Sequence, residues 1–261
     1  MLLALDIGNT ETTIGLFQRH QLCGSWRLTT TPSRTPDEWG SAITAYLAQA
    51  GHSTQEVRAA ILASVVPQVT LTIAEAVEIA TTVRPVIVDG RSPLPIRLDV
   101  AEPLTVGADR IVNTLAAAQL FKADTIVVDF GTATTFDCIT ADGRFIGGVI
   151  MPGIRTAADE LVRKTAKLPA TELSPPPHVI GKRTEECIRS GVLFGTTDAV
   201  DGLIRRIRAE WPGQPASAPR AIATGGLAGL IAPLSQEIES VHPDLTLTGL
   251  QFAATALRLT W

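Results

Sequence analysis

Residues 6–15 of the chain read DIGNTETTIG, and they directly follow an uninterrupted apolar run. Glycine and asparagine adopt positive φ angles readily, so Gly8 and Asn9 between two strand-like runs are typical of a tight turn in an antiparallel hairpin. The stretch therefore predicts two paired strands joined at that turn. A hairpin alone does not explain why the first strand ends in a carboxylate, Asp6, or why threonines follow the turn.

A second copy of this pattern lies in the other half of the chain. The segment LLALDIGNTETTIG (2–15) matches TIVVDFGTATTFDC (125–138), and the alignment pairs Asp6 with Asp129, Gly8 with Gly131, and Asn9 with Thr132. One hairpin is ordinary, but two that are followed by the same order of elements indicate a duplicated unit with two facing loops. Backbone N–H and hydroxyl groups of such turns can hold a polyphosphate, and nearby carboxylates can coordinate its cations. The pair therefore predicts a nucleotide site.

Hydrophobic periodicity predicts a similar succession of strands and helices in both halves. The first half has predicted strands at 2–7, 12–17, 22–29, 59–66 and 84–89 and predicted helices at 37–50 and 67–80. The second half has predicted strands at 125–130, 134–140 and 144–151 and predicted helices at 153–165, 184–210 and near 249–258. Strands that alternate with helices indicate an α/β fold, and the short turns between the opening strands make part of the sheet antiparallel. The proline-rich stretches at 168–184 and 211–219 are predicted loops.

The bulk composition limits the possible partners. With 261 residues, 45% of them hydrophobic, and a net charge of −4, the chain can bury a sizeable core but has no basic excess for nucleic acid or a membrane surface. Cys23, Cys138 and Cys187 stand far apart without CxxC spacing, which argues against a disulfide framework and a zinc site. The start of the chain lacks a basic signal-peptide region, and no apolar stretch approaches the roughly 20 residues of a membrane span. These features predict a cytoplasmic protein.

The motif ATGG places Gly225 and Gly226 between a predicted strand and a predicted helix. A flat ring or a phosphate can approach a glycine backbone closely, and a structural turn explains the pair equally well. The motif is therefore compatible with a nucleotide site without requiring one.

The segment VGADRIVNTL predicts a helix that starts near Gly107. Its predicted apolar face consists of Ile111, Leu115, Ala118 and Leu120. An aspartate in a first helical turn, here Asp109, commonly does no more than complement the helix dipole. The adjacent Arg110 opposes that dipole, so it is better explained if it pairs near Asp109 or holds a ligand anion such as a carboxylate. An acid beside such a cation could deprotonate a hydroxyl group of an anionic substrate, and residue chemistry alone leaves both interpretations open.

Six segments, in this order along the chain, resemble those of the type III pantothenate kinases: DIGNTETTIG, GADRIVN, VVDFGTATTFD, GGVIMPG, GKRTEECIRSG and ATGG. The paired Asp-x-Gly loops are shared with the wider superfamily of acetate and sugar kinases, Hsp70 and actin, whereas GADR and GGVIMPG narrow the resemblance to this family. The resemblance implies duplicated ribonuclease H-like (actin-like ATPase) domains with mixed sheets flanked by helices. Residues 1–120 would form the half with the first phosphate loop and the GADR segment. Residues 121–261 would form the half with the second phosphate loop and the dimer-forming helices.

The resemblance also implies a function, the phosphorylation of the primary hydroxyl of pantothenate by ATP to give 4′-phosphopantothenate, the first step of coenzyme A biosynthesis. The implied ATP-binding residues are Asp6, Ile7, Gly8, Asn9, Thr10, Glu11, Thr12, Thr13 and Thr132. Asp6 would lie near the magnesium ion of ATP. Asp129 would bind the monovalent cation, potassium or ammonium, that this family needs.

The implied pantothenate site consists of Val100, Gly107, Ala108, Asp109, Arg110 and Thr184. Asp109 would be the base that takes the proton from the hydroxyl, and Thr184 would complete the site from the neighbouring subunit of a homodimer. The family usually has a tyrosine, within a Y-x-N-P pattern, where this chain has Val100. Valine can pack against the methyl groups of pantothenate but cannot donate the phenol hydrogen bond. The only tyrosine, Tyr46, lies in the predicted helix 37–50 and is expected in the core rather than as a replacement.

Two other functions remain open at this point. One is a non-catalytic regulatory relative of the family, and the retention of Asp109 together with both phosphate loops argues against it. The other is a kinase of the same superfamily that acts on another small hydroxy substrate, and the substitution at Val100 is the reason to consider it.

Overall fold

The computed structural model describes residues 1–213 and 217–261. The chain folds into two units, one formed by Met1–Leu120 with Leu245–Trp261 and the other by Phe121–Asp244. Part of the predicted loop at 211–219 lies outside the described residues. The predicted loop at 168–184 is confirmed, because the chain has no helix or strand between Lys164 and Thr184.

The helices and strands agree closely with the periodicity of the sequence. The strands are β1 (Leu2–Ile7), β2 (Glu11–Gln18), β3 (Gln21–Thr29), β4 (Ala59–Ser64), β5 (Val86–Val88), β6 (Arg97–Leu98), β7 (Thr125–Phe130), β8 (Ala133–Ile139), β9 (Arg144–Pro152), β10 (Arg220–Thr224) and β11 (Ser240–Val241). The helices are α1 (Pro36–Gln49), α2 (Pro67–Thr81), α3 (Ala108–Phe121), α4 (Ile154–Lys164), α5 (Thr184–Glu210), α6 (Ala228–Ile231) and α7 (Leu245–Ala256).

The two units share one sheet topology. In the first unit the strands lie in the order β3-β2-β1-β4-β5, and in the second unit they lie in the order β9-β8-β7-β10-β11. In each unit the central strand, β1 or β7, pairs antiparallel with its hairpin partner and parallel with the strand on its other side. This shared order and direction confirms the mixed α/β architecture and the duplicated unit that the two motifs predict.

Strand β1 is buried on both faces, which explains its uninterrupted apolar sequence. Successive side chains of a strand point to opposite faces of the sheet. Leu3, Leu5 and Ile7 accordingly join a core with buried residues of α1 and α2, while Leu2 and Ala4 join a second core with residues of α3 and α7. Asp6 is the next-to-last residue of this central strand, so its carboxylate lies near the carboxyl end of β1.

Helix α3 buries Ile111 and Leu115 as predicted, but Leu120 is 46% exposed, so its assignment to the apolar face was wrong. A helix turns by about 100° per residue, so a residue nine positions after Ile111 points to the opposite side. Helix α7 packs so closely against α3 that a Cβ at Gly249 would collide with the carbonyl group of Val112.

Two smaller expectations from the sequence can also be compared with the structure. Tyr46 is partly buried against the first core and stacks on Trp26 with ring centroids 5.6 Å apart, which supports its assignment to the core. Among the described residues, no helix has both the length and the apolar character that a membrane crossing requires.

Candidate functional site

The first phosphate loop, Asp6–Thr13, is a hairpin, as its sequence predicts. Strands β1 and β2 pair with Asp6 opposite Thr13, and the N–H of Gly8 donates a hydrogen bond of 3.0 Å to the carbonyl oxygen of Glu11. The turn leaves Asn9, Thr10 and Glu11 exposed and Asp6 half-buried. Backbone and polar side-chain groups of these residues are thus accessible to a ligand.

Two residues of this loop have side chains that face the core. Ile7 and Thr12 are fully buried, and the Thr12 hydroxyl shares a hydrogen bond of 2.9 Å with the hydroxyl of Thr30. A ligand contact at Ile7 or Thr12 would therefore involve the backbone rather than the side chain. Thr30 was not predicted, and it supports the loop because it satisfies a buried hydroxyl group.

The second phosphate loop, Asp129–Thr132, is the counterpart hairpin in the other unit. Strands β7 and β8 pair with Asp129 opposite Thr135, and the N–H of Gly131 donates to the carbonyl oxygen of Ala133 at 3.0 Å. Thr132 is exposed. The connection between the strands is one residue shorter than in the first loop, so the two turns are related but not identical.

The start of helix α4 lies directly against the second phosphate loop. The carbonyl oxygen of Thr132 accepts hydrogen bonds from the N–H of Gly153 at 3.2 Å and from the hydroxyl of Thr156 at 2.7 Å. A Cβ at Gly153 would lie 2.5 Å from the carbonyl oxygen of Gly131 and would also collide with that of Thr132. Only glycine fits at this contact. The GGVIMPG segment contains Gly153, but nothing in the sequence predicted the role of Thr156.

The ATGG turn lies against the carboxylate of Asp129. Gly225 follows β10, which pairs with β7 so that Thr224 is opposite Asp129, and it has a φ of +90°. A Cβ at Gly225 would collide with Oδ1 of Asp129 and lie 2.7 Å from the backbone nitrogen of Phe130. Gly225 is therefore required both by its backbone conformation and by the space beside this carboxylate.

Asp109 lies in the first turn of α3 but is half-buried rather than a surface residue. Its Oδ1 accepts a hydrogen bond of 2.8 Å from the backbone N–H of Arg110, and a Cβ at Gly107 would lie 2.5 Å from the same oxygen. Burial raises the pKa of Asp109 above its ordinary value, although that hydrogen bond and the Arg110 charge act in the opposite direction. A carboxylate with a raised pKa is a better proton acceptor, so this environment suits a general base.

The remaining predicted substrate residues lie in different environments. Val100 and Arg110 are partly buried, while Ala108 is buried at the start of α3. Thr184 is exposed and is the first residue of α5. The N–H groups of Lys182 and Arg183, just before Thr184, both donate to the carboxylate of Glu186, which fixes the start of the helix.

In the described part of the chain, no group of three or more His, Cys, Asp or Glu side chains is arranged to hold a metal ion. Magnesium in nucleotide sites is commonly bound by one or two carboxylates together with phosphate oxygens and water. A single carboxylate at the end of β1, Asp6, is consistent with that mode. Asp129 is also half-buried near the end of its strand, β7, and its Oδ1 lies close to Gly225.

The fold is similar to those of solved structures whose sequences are distant. A Baf family transcriptional activator of Campylobacter jejuni covers 98% of both chains with a TM-score of 0.60 at 18% identity. An activator of the 2-hydroxyisocaproyl-CoA dehydratase of Clostridium difficile, solved with bound ADPNP, covers 99% of this chain and 93% of that one, with a TM-score of 0.56 at 12% identity. These similarities, together with the repeated sheet topology, confirm the predicted duplicated ribonuclease H-like fold of the actin-like ATPases.

Sequence similarity shows the family. Residues 2–206 match the family model described as type III pantothenate kinase. The type III pantothenate kinase of Thermomicrobium roseum is 47% identical over 253 residues, which is 97% of this chain and 96% of the relative. The resemblance drawn from the six sequence motifs is thereby confirmed. The chain belongs to the type III pantothenate kinase family.

Proposed function

We propose that this chain transfers the γ-phosphoryl group of ATP to the primary hydroxyl of pantothenate and forms 4′-phosphopantothenate, the first step of coenzyme A biosynthesis. The observation that carries the proposal is the Asp109 carboxylate, half-buried, with a raised pKa and held in place by Gly107 and the Arg110 N–H. Membership of the kinase family provides the reaction in which such a base is needed.

Phosphoryl transfer depends chiefly on the alignment of the attacking hydroxyl with the γ-phosphate and on neutralisation of charge. In this proposal the first phosphate loop, Asp6–Thr13, contacts the phosphates of ATP, and Thr132 contributes a further contact from the second. The exposed polar groups of Asn9 and Thr10, and of Thr132, support this role. Backbone N–H groups at such turns provide hydrogen bonds that bind phosphate in a fixed orientation.

The acceptor side of the reaction is assigned to the start of α3. Asp109 takes the proton from the primary hydroxyl of pantothenate, while Arg110 holds the carboxylate of the same substrate. An arginine suits that task because its planar guanidinium group can form two parallel hydrogen bonds with a carboxylate. Val100 packs against the methyl groups of pantothenate. The missing phenol hydrogen bond would weaken substrate binding by about 1–3 kcal/mol if a buried substrate group were left unpaired.

Two cations complete the proposed site. Asp6 would lie near the magnesium ion, which supplies neutralisation of phosphate charge when bound. Asp129 would hold the monovalent cation, potassium or ammonium, and its carboxylate is half-buried beside Gly225. Both assignments use oxygen ligands, which hard cations prefer.

Replacement of potassium by sodium should lower the rate of ADP formation if Asp129 binds a monovalent cation, because a site shaped for the larger ion binds the smaller one with poorer geometry. The measurement is a coupled ADP-release assay in matched chloride salts at constant ionic strength. Rubidium and caesium chloride serve as controls for ion size. Equal rates in sodium and potassium would remove the proposed role of Asp129.

We also propose that the protein is a cytoplasmic homodimer in which Thr184 reaches the pantothenate site of the partner subunit. Thr184 is exposed, and just before it Val179 and Ile180 are 69% and 84% exposed, which is unusual for large apolar side chains. A second subunit that covers this segment would remove them from water. Sedimentation velocity at micromolar protein concentration should give the mass of a dimer. A monomer mass would contradict this assignment.

The substrate is tested by ADP release from ATP with magnesium and potassium present. ADP release with pantothenate but not with sugars or simple hydroxy acids is the expected result. If ADP is released only with another acceptor, that compound and not pantothenate is the substrate. If no acceptor elicits ADP release, the chain is a regulatory relative rather than a kinase.

A further inference from the structure

The second phosphate loop depends on a side chain that lies outside the loop. The carbonyl oxygen of Thr132 accepts a hydrogen bond of 2.7 Å from the hydroxyl of Thr156, which lies in the first turn of α4. We propose that Thr156 is a positioning residue for ATP, because it fixes the second phosphate loop in the conformation that binds phosphate. This inference rests on the proposed function, from which it takes the contact between Thr132 and ATP.

Backbone hydrogen bonds also restrain the loop. A second hydrogen bond to the Thr132 carbonyl, from the N–H of Gly153, is 3.2 Å long, which is at the long end of the usual range. The loop already lies so close to the backbone of Gly153 that a Cβ there would collide with the carbonyl oxygens of Gly131 and Thr132, which leaves little room for movement toward the helix. That contact prevents a closer approach but does not prevent the loop from moving away. The hydrogen bonds from the Gly153 N–H and the Thr156 hydroxyl resist that movement, and the Thr156 bond is the shorter of the two.

Thr156 contributes little to the packing of the helix on which it lies. On α4 the buried residues are Ile154 and Ala158, whereas Thr156 is exposed, as is Thr132. Loss of the Thr156 hydroxyl therefore removes almost no buried surface from the core. Loss of the hydroxyl should instead change the position of the loop. Small displacements of groups that bind a reactant can greatly weaken binding and slow the reaction.

The experiment compares Thr156→Val, which keeps the shape and removes the hydroxyl, with Thr156→Ser, which keeps the hydroxyl. Calorimetric Kd values for the non-hydrolysable ATP analogue AMPPNP with magnesium, and for AMP, separate phosphate contacts from the rest of the nucleotide. We expect Thr156→Val to raise the AMPPNP Kd and the KM for ATP about 3- to 10-fold, as for loss of one hydrogen bond. The AMP Kd and the KM for pantothenate should change by less than about twofold, and the Tm by no more than about a few degrees. Thr156→Ser should bind AMPPNP as well as the unmodified protein does.

Thr165→Val is the matched control. The Thr165 hydroxyl donates a hydrogen bond of 2.9 Å to the Leu161 carbonyl at the other end of α4, so this variant loses the same kind of bond away from the loop. The inference is overturned if the Thr156 and Thr165 variants bind AMPPNP equally well. It is also overturned if Thr156→Val weakens AMP and AMPPNP equally, or if Thr156→Ser binds AMPPNP as poorly as Thr156→Val. Failure of the unmodified protein to bind AMPPNP would instead contradict the proposed function.

Discussion

Asp109→Asn should lower turnover about 10²–10⁴-fold, the usual contribution of general acid–base catalysis. Asparagine has nearly the shape of aspartate, and its carbonyl oxygen can still accept the hydrogen bond that Arg110 N–H now donates at 2.8 Å. It cannot accept a proton from the substrate hydroxyl. The measurement is kcat from ADP release with saturating ATP and pantothenate, and the KM for ATP should change little because Asp109 lies outside both phosphate loops.

The same substitution should stabilise the protein at neutral pH. Burial raises the pKa of Asp109 in the folded chain, so the stability associated with its protonated form is present below the ordinary aspartate pKa and is lost as pH rises through the raised value. At pH 7 the unmodified protein has lost stability through this shift, whereas the asparagine variant has no carboxyl group to titrate. The variant's Tm should exceed that of the unmodified protein at pH 7, and the difference should shrink as pH falls toward the ordinary aspartate range.

The matched control is Asp37→Asn, because Asp37 also lies in the first turn of a helix but is exposed. That variant should keep full turnover and should show no gain in Tm at neutral pH. If Asp109→Asn turns over pantothenate as fast as the Asp37 variant does, Asp109 is not the base. In the unmodified protein, kcat/KM for pantothenate should fall on the acidic side around a pKa above the ordinary aspartate value.

Gly225→Ala should have the second large effect, a loss of more than about tenfold in activity together with a lower Tm. Two physical causes add at this position. A residue with a side chain is strained at a φ of +90°, by roughly 1–3 kcal/mol. In addition, its Cβ would collide with Asp129 Oδ1 and lie 2.7 Å from the Phe130 nitrogen, so the end of β7 and the second phosphate loop would have to move. ADP-release kinetics and thermal unfolding measure the two consequences.

Gly51→Ala separates these causes. Gly51 has a φ of +80°, but a Cβ there would meet nothing within 4 Å, so the variant carries the backbone strain without the collision. Gly51→Ala should lower the Tm as much as Gly225→Ala does, or less, and should keep full activity. If Gly225→Ala is as active as Gly51→Ala, the ATGG turn does not shape the cation and phosphate region, and Gly225 is needed for the turn alone.

Much of the fold was predictable because its signals are local. The uninterrupted apolar run of β1 and the helical period of α5 lie within single elements, and the glycine turns lie between neighbouring elements, so the elements could be located within a few residues. The error at Leu120 had a simple cause, an apolar residue counted on the wrong side of a helix. Duplication was also predictable, since Asp6 and Asp129 each end a matching strand.

The candidate site was predictable in part. The sequence predicted both hairpins and the helix that begins beside Asp109, and the resemblance to a kinase family assigned roles to their residues. It did not predict the raised pKa of Asp109, because burial depends on what packs around the carboxylate. It also did not predict that Thr12 faces the core and pairs with Thr30, or that Thr156 bonds to Thr132.

The sequence by itself determined most of the strands, the helices, the duplicated Asp-x-Gly hairpins and the family, since each follows from residues close together or from motifs in order. Only the tertiary structure decided which distant residues support them: Thr156 and Gly225 against the second phosphate loop, and Gly249 against α3. Those contacts join residues that are 24 or more positions apart. Turn propensity and hydrophobic period act over a few residues, whereas close contacts between separate elements depend on how whole sheets and helices pack.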